Sequence, residues 1–322
     1  MPSLWYAETE MQRAGTKERF PRVEGDVRTD VLIVGGGMTG ILCAHQLAKR
    51  GVDCMVVEAE RIGLGVTQNT TAKVTAQHGL TLSKLARTYD AQTACAYAKA
   101  NLDALAEYRR LAARFDFDFE EKTAFVYSRS NREKLEAEAR LYETLDIRPV
   151  WEDHPPIPVQ TVGALGMPGQ AQCSPLKLIY GLADGLNIHE NSKVTEINGQ
   201  TARTDSARIA ARNILIATHY PMVNLKGLYF MKLYQHRSYL IALRDAPAVG
   251  AMYVDEQEDG HTFRDAGELV LLGGGGHKTG GKGGGWQVLR ALAKEAYPQS
   301  AEVFAWAAQD CMSLDGMPYI GP

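Results

Sequence analysis

The chain of 322 residues has no surplus of either charge: Lys plus Arg number 35 and Asp plus Glu 38, for a formal net charge of −3. A nucleic-acid-binding face needs a clustered basic excess, and none stands out, so no nucleic-acid partner is expected. The five cysteines (Cys43, Cys54, Cys95, Cys173, Cys311) are scattered, odd in number and never spaced C-x-x-C. That argues against a disulfide framework or a cysteine-rich zinc site. The eight histidines are dispersed and none pairs with a cysteine at ligand spacing, so no metal site is expected. No run approaches the ~18 consecutive apolar residues of a membrane span. The opening MPSLWYAETEMQRAG lacks the basic-then-apolar order of a secretory signal. The expectation is a cytoplasmic protein of about two domains.

Glycine is what the chain has in excess, at 31 residues. Much of it lies in Gly35-Gly36-Gly37 and in the run from Gly273 to Gly285. Before the first cluster, Asp30–Val34 (DVLIV) has the β-branched, apolar spelling of a buried parallel strand. After it, Met38–Arg50 places Ile41, Leu42, Ala44, Leu47 and Ala48 on one helical face, and Gly51 stops it. Val52–Glu58 is a second apolar strand, which completes a βαβ unit.

Residues 1–29 read as a polar arm. From Leu82 to Arg114 the chain is rich in Ala and Leu without Pro or Gly, and is expected to be mostly helical. Ser130-Asn-Arg-Glu133 spells a capping box opening a helix to about Thr144. Ser174-Pro175 spells a helix start, and Val194–Ile197 before Asn198-Gly199 a hairpin. Asn213–Thr218 (NILIAT) is another buried strand. Residues 229–272 alternate in short β-like runs, and Trp286–Tyr297 is helical in pattern.

The strand–helix context gives Gly35-x-Gly37-x-x-Gly40 a dinucleotide reading. Gly35 permits the tight turn, Gly37 lets backbone approach a pyrophosphate, and Gly40 allows close helix–strand packing. The helix N-terminus, at Met38 and Thr39, offers N–H groups and a partial positive charge to phosphate. Glu58 ends the second strand, placed to accept from ribose hydroxyls, and disfavours the 2′-phosphate of NADP. These residues alone leave FAD and NAD both open.

The stretch DVLIVGGGMTGILCAHQLAKRGVDCMVVEAERIGLGVTQNTTA resembles the opening of the D-amino-acid oxidase and glycine oxidase superfamily of FAD-dependent oxidoreductases. TTAKVTAQHGL, IATHYP, GGHKTG and AQDCMSLDGMPYIG resemble the subgroup that carries a Rieske iron–sulfur domain after the flavoprotein part. The resemblance implies an α/β fold: a Rossmann-like parallel sheet with helices plus a mixed, β-rich substrate domain. The FAD-binding domain would be discontinuous, at 1–84, 158–222 and 303–322, and the substrate domain would take 85–157 and 223–302. It implies non-covalent FAD, with Gly65, Thr67, Thr70, Thr71 and Ala72 lining the path to the isoalloxazine. Val194 would present backbone to adenine, and Ala217-Thr218 would pass under the dinucleotide. The usual act is hydride transfer from an amine or amino-acid-like small molecule to FAD. An iron–sulfur electron acceptor, and a truncated flavin-binding fragment without turnover, are the alternatives.

Such a substrate needs a carboxylate clamp, for which Arg is best suited. Arg237 and Arg264 are the candidates, and His277, within the glycine run, could reach the site from a flexible loop. The chain departs from the family at Asp310, which stands where glycine-oxidase-like members have a carboxylate-binding Arg; a carboxylate there repels a carboxylate. The paired Cys/His motifs of a Rieske cluster are absent from these residues. The family pattern also continues past Gly316 with a strand and a helix facing the ring. Without them, weak FAD retention and a tendency to associate are expected.

Overall fold

The computed structural model describes residues 2–13, 20–222 and 227–321. The expected domain boundary at 222/223 therefore abuts a stretch outside the described residues. In chain order the elements begin α1 (Leu4–Arg13), β1 (Gly25–Val34), α2 (Met38–Ala48), β2 (Cys54–Val57), a 3-10 turn (Val66–Asn69) and β3 (Lys73–Val74). There follow α3 (Thr81–Thr88), α4 (Ala91–Ala112), β4 (Glu120–Ser128), α5 (Arg132–Glu143), β5 (Val150–Glu152) and β6 (Gly163–Gln172). Next come α6 (Pro175–Leu182), β7 (Ile188–His189), β8 (Glu196–Asn198), β9 (Thr201–Arg203) and β10 (Ala207–Ile216). A short 3-10 turn (Tyr229–Met231) precedes β11 (Leu233–Arg244), β12 (Met252–Asp255), β13 (Thr262–Ala266), β14 (Leu269–Lys278), α7 (Gly285–Ala296) and β15 (Ala301–Ser313). No described helix is long and apolar enough to cross a membrane.

These elements fall into two compact units. One comprises Ser3–Thr70, Pro175–His236 and Gln309–Pro322. Its six-stranded sheet runs β7-β2-β1-β10-β9-β8. β1 pairs in parallel with both β2 and β10, and β2 in parallel with β7, while β10, β9 and β8 turn back antiparallel. Leu32, Val34, Met55, Val57, Val194 and Ile209 pack as its core on one face. On α2, Gly40, Ile41 and Ala44 are buried and Leu42 and Leu47 half-buried, but Ala48, which the sequence places on the same face, is exposed.

The other unit comprises Met1–Pro2, Thr71–Ser174 and Arg237–Ala308. Its strands belong to a mixed sheet ordered β15-β11-β14-β13-β12-β4-β6-β3, with β5 added on β6. Phe125 and Tyr253 stack at 5.1 Å between centroids, in a core with Tyr127, Phe263, Leu272 and Leu289. Strands β11 and β15 each run on from one unit into the other.

Several local expectations need correction. The N-terminal arm contains helix α1, because Leu4 and Trp5 are buried and the Trp5 indole donates to the Thr70 carbonyl at 2.8 Å. The helical stretch from Leu82 breaks at Tyr89-Asp90, where the Asp90 carboxylate accepts from Thr93 N–H and opens α4 afresh. Helix α5 is capped by Asn131 rather than Ser130, with Lys134 N–H on its side-chain oxygen at 3.1 Å. The hairpin loop is Gly199-Gln200, one residue later than the Asn-Gly spelling, since Asn198 pairs with Thr201. The glycine run is only in part a loop: Gly273–Gly276 lie in β14, where Gly273 pairs with Thr262. A Cβ on Gly275 would sit 2.4 Å from the Gly285 carbonyl at the head of α7, so side chains are excluded there by packing.

Candidate functional site

The turn after β1 is held from three sides. Gly35 N–H donates to the Val57 carbonyl at 2.9 Å, Ala217 N–H to the Val34 carbonyl at 2.8 Å, and Gly36 N–H to Glu58 Oε2 at 2.7 Å. Gly35 has φ +110, and a Cβ there would lie 2.5 Å from the Ala217 carbonyl oxygen. Only glycine satisfies both conditions. Gly40 lets α2 lie against this turn, since its own Cβ would fall 1.9 Å from the Gly35 oxygen.

Gly37 serves differently. It is the N-cap of α2, in extended backbone that any residue adopts, and it has no side chain of its own with which to cap the helix. A Cβ on it would meet only Thr67 Oγ1, at 3.3 Å. Thr67 is buried on the 3-10 turn and accepts from Met38 N–H at 3.0 Å; Thr39, next along, is exposed on the first turn of α2. The result is a cradle of bare backbone at the positive end of a helix. It fits a pyrophosphate, which needs that space and the positive end of the helix. Glu58 faces the same turn and also accepts from Glu60 N–H at 3.0 Å, so its carboxylate braces the cradle while keeping lone pairs for further donors.

The remaining cofactor candidates are placed as follows. Gly65 is exposed and begins the 3-10 turn. The Thr70 carbonyl accepts from Trp5. Thr71 and Ala72 open the other unit, and Ala72 holds φ +54, an uncommon conformation for a residue with a Cβ. Val194 lies in the connection before β8 rather than in a strand, with its side chain in the core of the dinucleotide unit. Ala217 and Thr218 follow β10, where the Thr218 hydroxyl donates to the Tyr220 carbonyl at 2.8 Å.

The three catalytic candidates lie in the other unit. Arg264 is 3% exposed, and its Nη1 donates to the Thr71 and Ala72 carbonyls at 2.7 and 2.9 Å, its Nε to the Asp265 carbonyl. As a substrate clamp it needs correction: its donors face backbone carbonyls, and it fixes the strained Ala72 segment. His277 also differs from the expectation of a flexible loop. It sits in β14 with Nε2 3.0 Å from the Tyr239 hydroxyl and Nδ1 3.0 Å from the Lys278 carbonyl. Arg237 is half-buried on β11, its guanidinium 5.8 Å from the Tyr239 ring centroid. The structure thus gathers Arg237, Tyr239 and His277 into one neighbourhood and leaves Arg264 apart from it.

Sequence reasoning passed over Lys73, the residue after Ala72. Its ammonium donates to the Tyr253 carbonyl at 3.3 Å, and burial, with the Arg264 cation nearby, brings its pKa down to about 7. Its only sequence signal is its place within TTAKVTAQ. An Arg264→Met protein is expected to lose about 2 kcal/mol of stability, because the Thr71 and Ala72 carbonyls lose their charged donor. Urea unfolding reads this directly, and a midpoint unchanged from wild type counts against the brace.

Residues 30–322 match the DAO family, FAD dependent oxidoreductases. The chain belongs to this family. FAD is therefore the dinucleotide, and the choice between FAD and NAD left open by the residues is closed. Over 332 aligned residues the chain is 30% identical to a protein of Bacillus subtilis (strain 168) described as a Rieske 2Fe-2S iron-sulfur protein, covering 94% of this chain and 64% of the relative. It is 24% identical over 221 residues to the gamma-glutamylputrescine oxidoreductase of Escherichia coli (strain K12), covering 62% of this chain and 50% of that one. The chain thus spans less than two thirds of the length of either relative. Among solved structures, glycine oxidase from Geobacillus kaustophilus superposes with a TM-score of 0.69 at 21% identity, covering 92% of this chain and 86% of that one. L-proline dehydrogenase from P. horikoshii gives 0.74 at 13%, covering 92% and 85%. These likenesses bear out the expected fold: a parallel-stranded sheet with helices and a mixed β-rich sheet.

Proposed function

We propose that this DAO-family protein oxidises the carbon–nitrogen bond of a small amine or amino-acid-like molecule. The reading is carried by the bare cradle at Gly37, together with relatives and fold neighbours whose names include glycine oxidase, L-proline dehydrogenase and gamma-glutamylputrescine oxidoreductase. The unit of Ser3–Thr70, Pro175–His236 and Gln309–Pro322 is read as the FAD-binding domain. Gly35, Gly37, Met38, Thr39 and Gly40 would hold the pyrophosphate, and Glu58 would accept from a ribose hydroxyl with the lone pairs left by Gly36 and Glu60. Val194 backbone would meet adenine, and Ala217-Thr218 would pass under the dinucleotide. Gly65, Thr67, Thr70, Thr71 and Ala72 would line the way to the ring. When bound, FAD supplies a two-electron acceptor for a substrate hydride. The chain's own part is to orient the substrate, for which Arg237, with Tyr239 and His277 beside it, is the candidate. A cytoplasmic setting, read from the sequence, belongs to the same proposal.

The test is a screen of amines and amino acids for anaerobic bleaching of the FAD-loaded protein. Bleaching by at least one amine supports the reading; bleaching confined to hydroxy compounds overturns it. A second reading concerns the acceptor: the iron–sulfur description of the Bacillus relative favours onward transfer of electrons to such a centre over oxygen. Slow reoxidation in air with fast reoxidation by ferricyanide supports that reading.

The flavin is expected to be held without a covalent bond. The VTQNTTAK segment has neither His nor Cys, and Cys311 is a half-buried thiol whose pKa burial raises, which disfavours the nucleophilic thiolate. Acid precipitation should leave the colour in the supernatant; a yellow washed pellet would show a covalent link.

A further inference from the structure

We infer that Asp310 anchors a cationic group of the substrate, and that the substrate class is amines carrying a second positive charge rather than α-amino acids. The inference rests on the oxidoreductase reading and deepens it.

The placement comes from the dinucleotide unit alone. Strand β10 ends at Ile216, and the next residue, Ala217, lies against the Gly35 turn. Two residues further on, His219 holds φ +65, and its Nε2 lies 2.9 Å from the Gln309 carbonyl. Asp310 is the next residue of β15, and the Gln309 side-chain amide donates to Gln235 on β11 beside it. Asp310 therefore sits just beyond the carboxyl ends of β1 and β10, the edge at which open parallel sheets bind their ligands. The left-handed backbone of His219 adds local strain at the same spot, as is common where a ligand is held.

The chemistry at this position is lopsided. Asp310 is half-buried, and burial disfavours its charged form, while His219 and His236 draw it back toward ionisation. Among the described residues no N–H or O–H donates to its carboxylate. The Nε2 of the His219 ring faces a backbone carbonyl instead. A half-buried carboxylate without a donor is unfavourable unless something else supplies one. An ammonium supplies both the hydrogen bond and the opposite charge. The amine that gives up hydride must itself be neutral, and a carboxylate beside it would hold it protonated. Asp310 is thus complementary to a cation that does not react, and it repels a substrate carboxylate.

Three four-carbon probes separate the possibilities: 1,4-diaminobutane, 1-aminobutane and 4-aminobutanoate. Calorimetric titration of the protein, FAD-saturated and flavin-free, is expected to show the diamine binding at least about tenfold tighter than the monoamine, with the amino acid weakest. Asp310→Asn keeps the shape and should bring diamine and monoamine within twofold, while FAD affinity stays within threefold of wild type. Asp310→Glu should restore part of the preference. Equal binding of the three probes by wild type, absence of binding by all three, or a preference that survives in Asp310→Asn overturns the inference. The wild-type series needs no substitution, so a poorly folding variant does not remove the test. Bleaching of the FAD-loaded wild type by hydroxy compounds alone would instead overturn the oxidoreductase reading, and the flavin-free titration would still report on Asp310.

Discussion

A Gly37→Val protein is expected to fold normally and bind essentially no FAD. The backbone at Gly37 is extended, with φ −80 and ψ −171, so valine adopts it without strain. Its Cβ meets one neighbour, Thr67 Oγ1 at 3.3 Å, which can yield by a few tenths of an ångström. The two methyl groups then occupy the space in front of α2 that a pyrophosphate needs. Affinity should fall by about 100-fold or more, equivalent to roughly 3 kcal/mol, with the far-UV spectrum unchanged and the melting temperature within a few degrees. Protein that still purifies yellow would show that phosphate does not sit at Gly37.

Gly40→Ala, three residues along, should fail for the opposite reason. Its methyl would be 1.9 Å from the Gly35 carbonyl oxygen and 3.3 Å from Ile33 Cγ2, so α2 must back away from β1 along its first turn. Overpacking against backbone has no flexible neighbour to relieve it, and a loss of about 3 kcal/mol or more is expected. Flavin loss would be secondary to loss of the fold, and guanidinium unfolding of the flavin-free protein separates the two. An unchanged midpoint would mean that helix and turn are not in contact. The pair makes a sharp contrast: one glycine keeps space for the ligand, the other keeps space for the protein.

That contrast was readable in the sequence. The strand–glycine–helix–strand–acid order prescribes the turn at Gly35 and the cradle at Gly37, because few other local arrangements satisfy all five parts at once. It also located Glu58, although not that the carboxylate braces Gly36 as well. Strand β10 was legible only in part. It runs from Ala207 to Ile216 with Ala207, Ile209 and Ala211 buried, while Asn213, Leu215 and Ile216 of NILIAT, read as buried, are exposed. Its position beside β1 was not legible at all, because pairing between distant strands leaves no local mark. The break before α4 was missed since Asp90 is a single residue in an alanine-rich run. The burial of Arg264 was invisible for a related reason: a lone cation in a strand reads as a surface residue, and only the carbonyls of Thr71 and Ala72, far away in sequence, make its burial tolerable. Lys73 and the setting of Asp310 likewise depend on neighbours that the local spelling does not announce.

The pairing of β1 has a consequence for the order in which the molecule is made. Its inner partner β2 leaves the ribosome within a short stretch of chain, but Val31 waits for Asn213, about 180 residues later, to complete the other edge. Until then the Gly35 turn lacks the Ala217 wall, and the apolar edge of β1 stands open. A nascent chain therefore carries a half-built cradle throughout that interval, which at the usual pace of translation lasts roughly ten seconds or more. Contacts so remote in sequence also make folding slow. Cofactor capture consequently waits for β10, and until then α2 is the cover that the early segment brings with it.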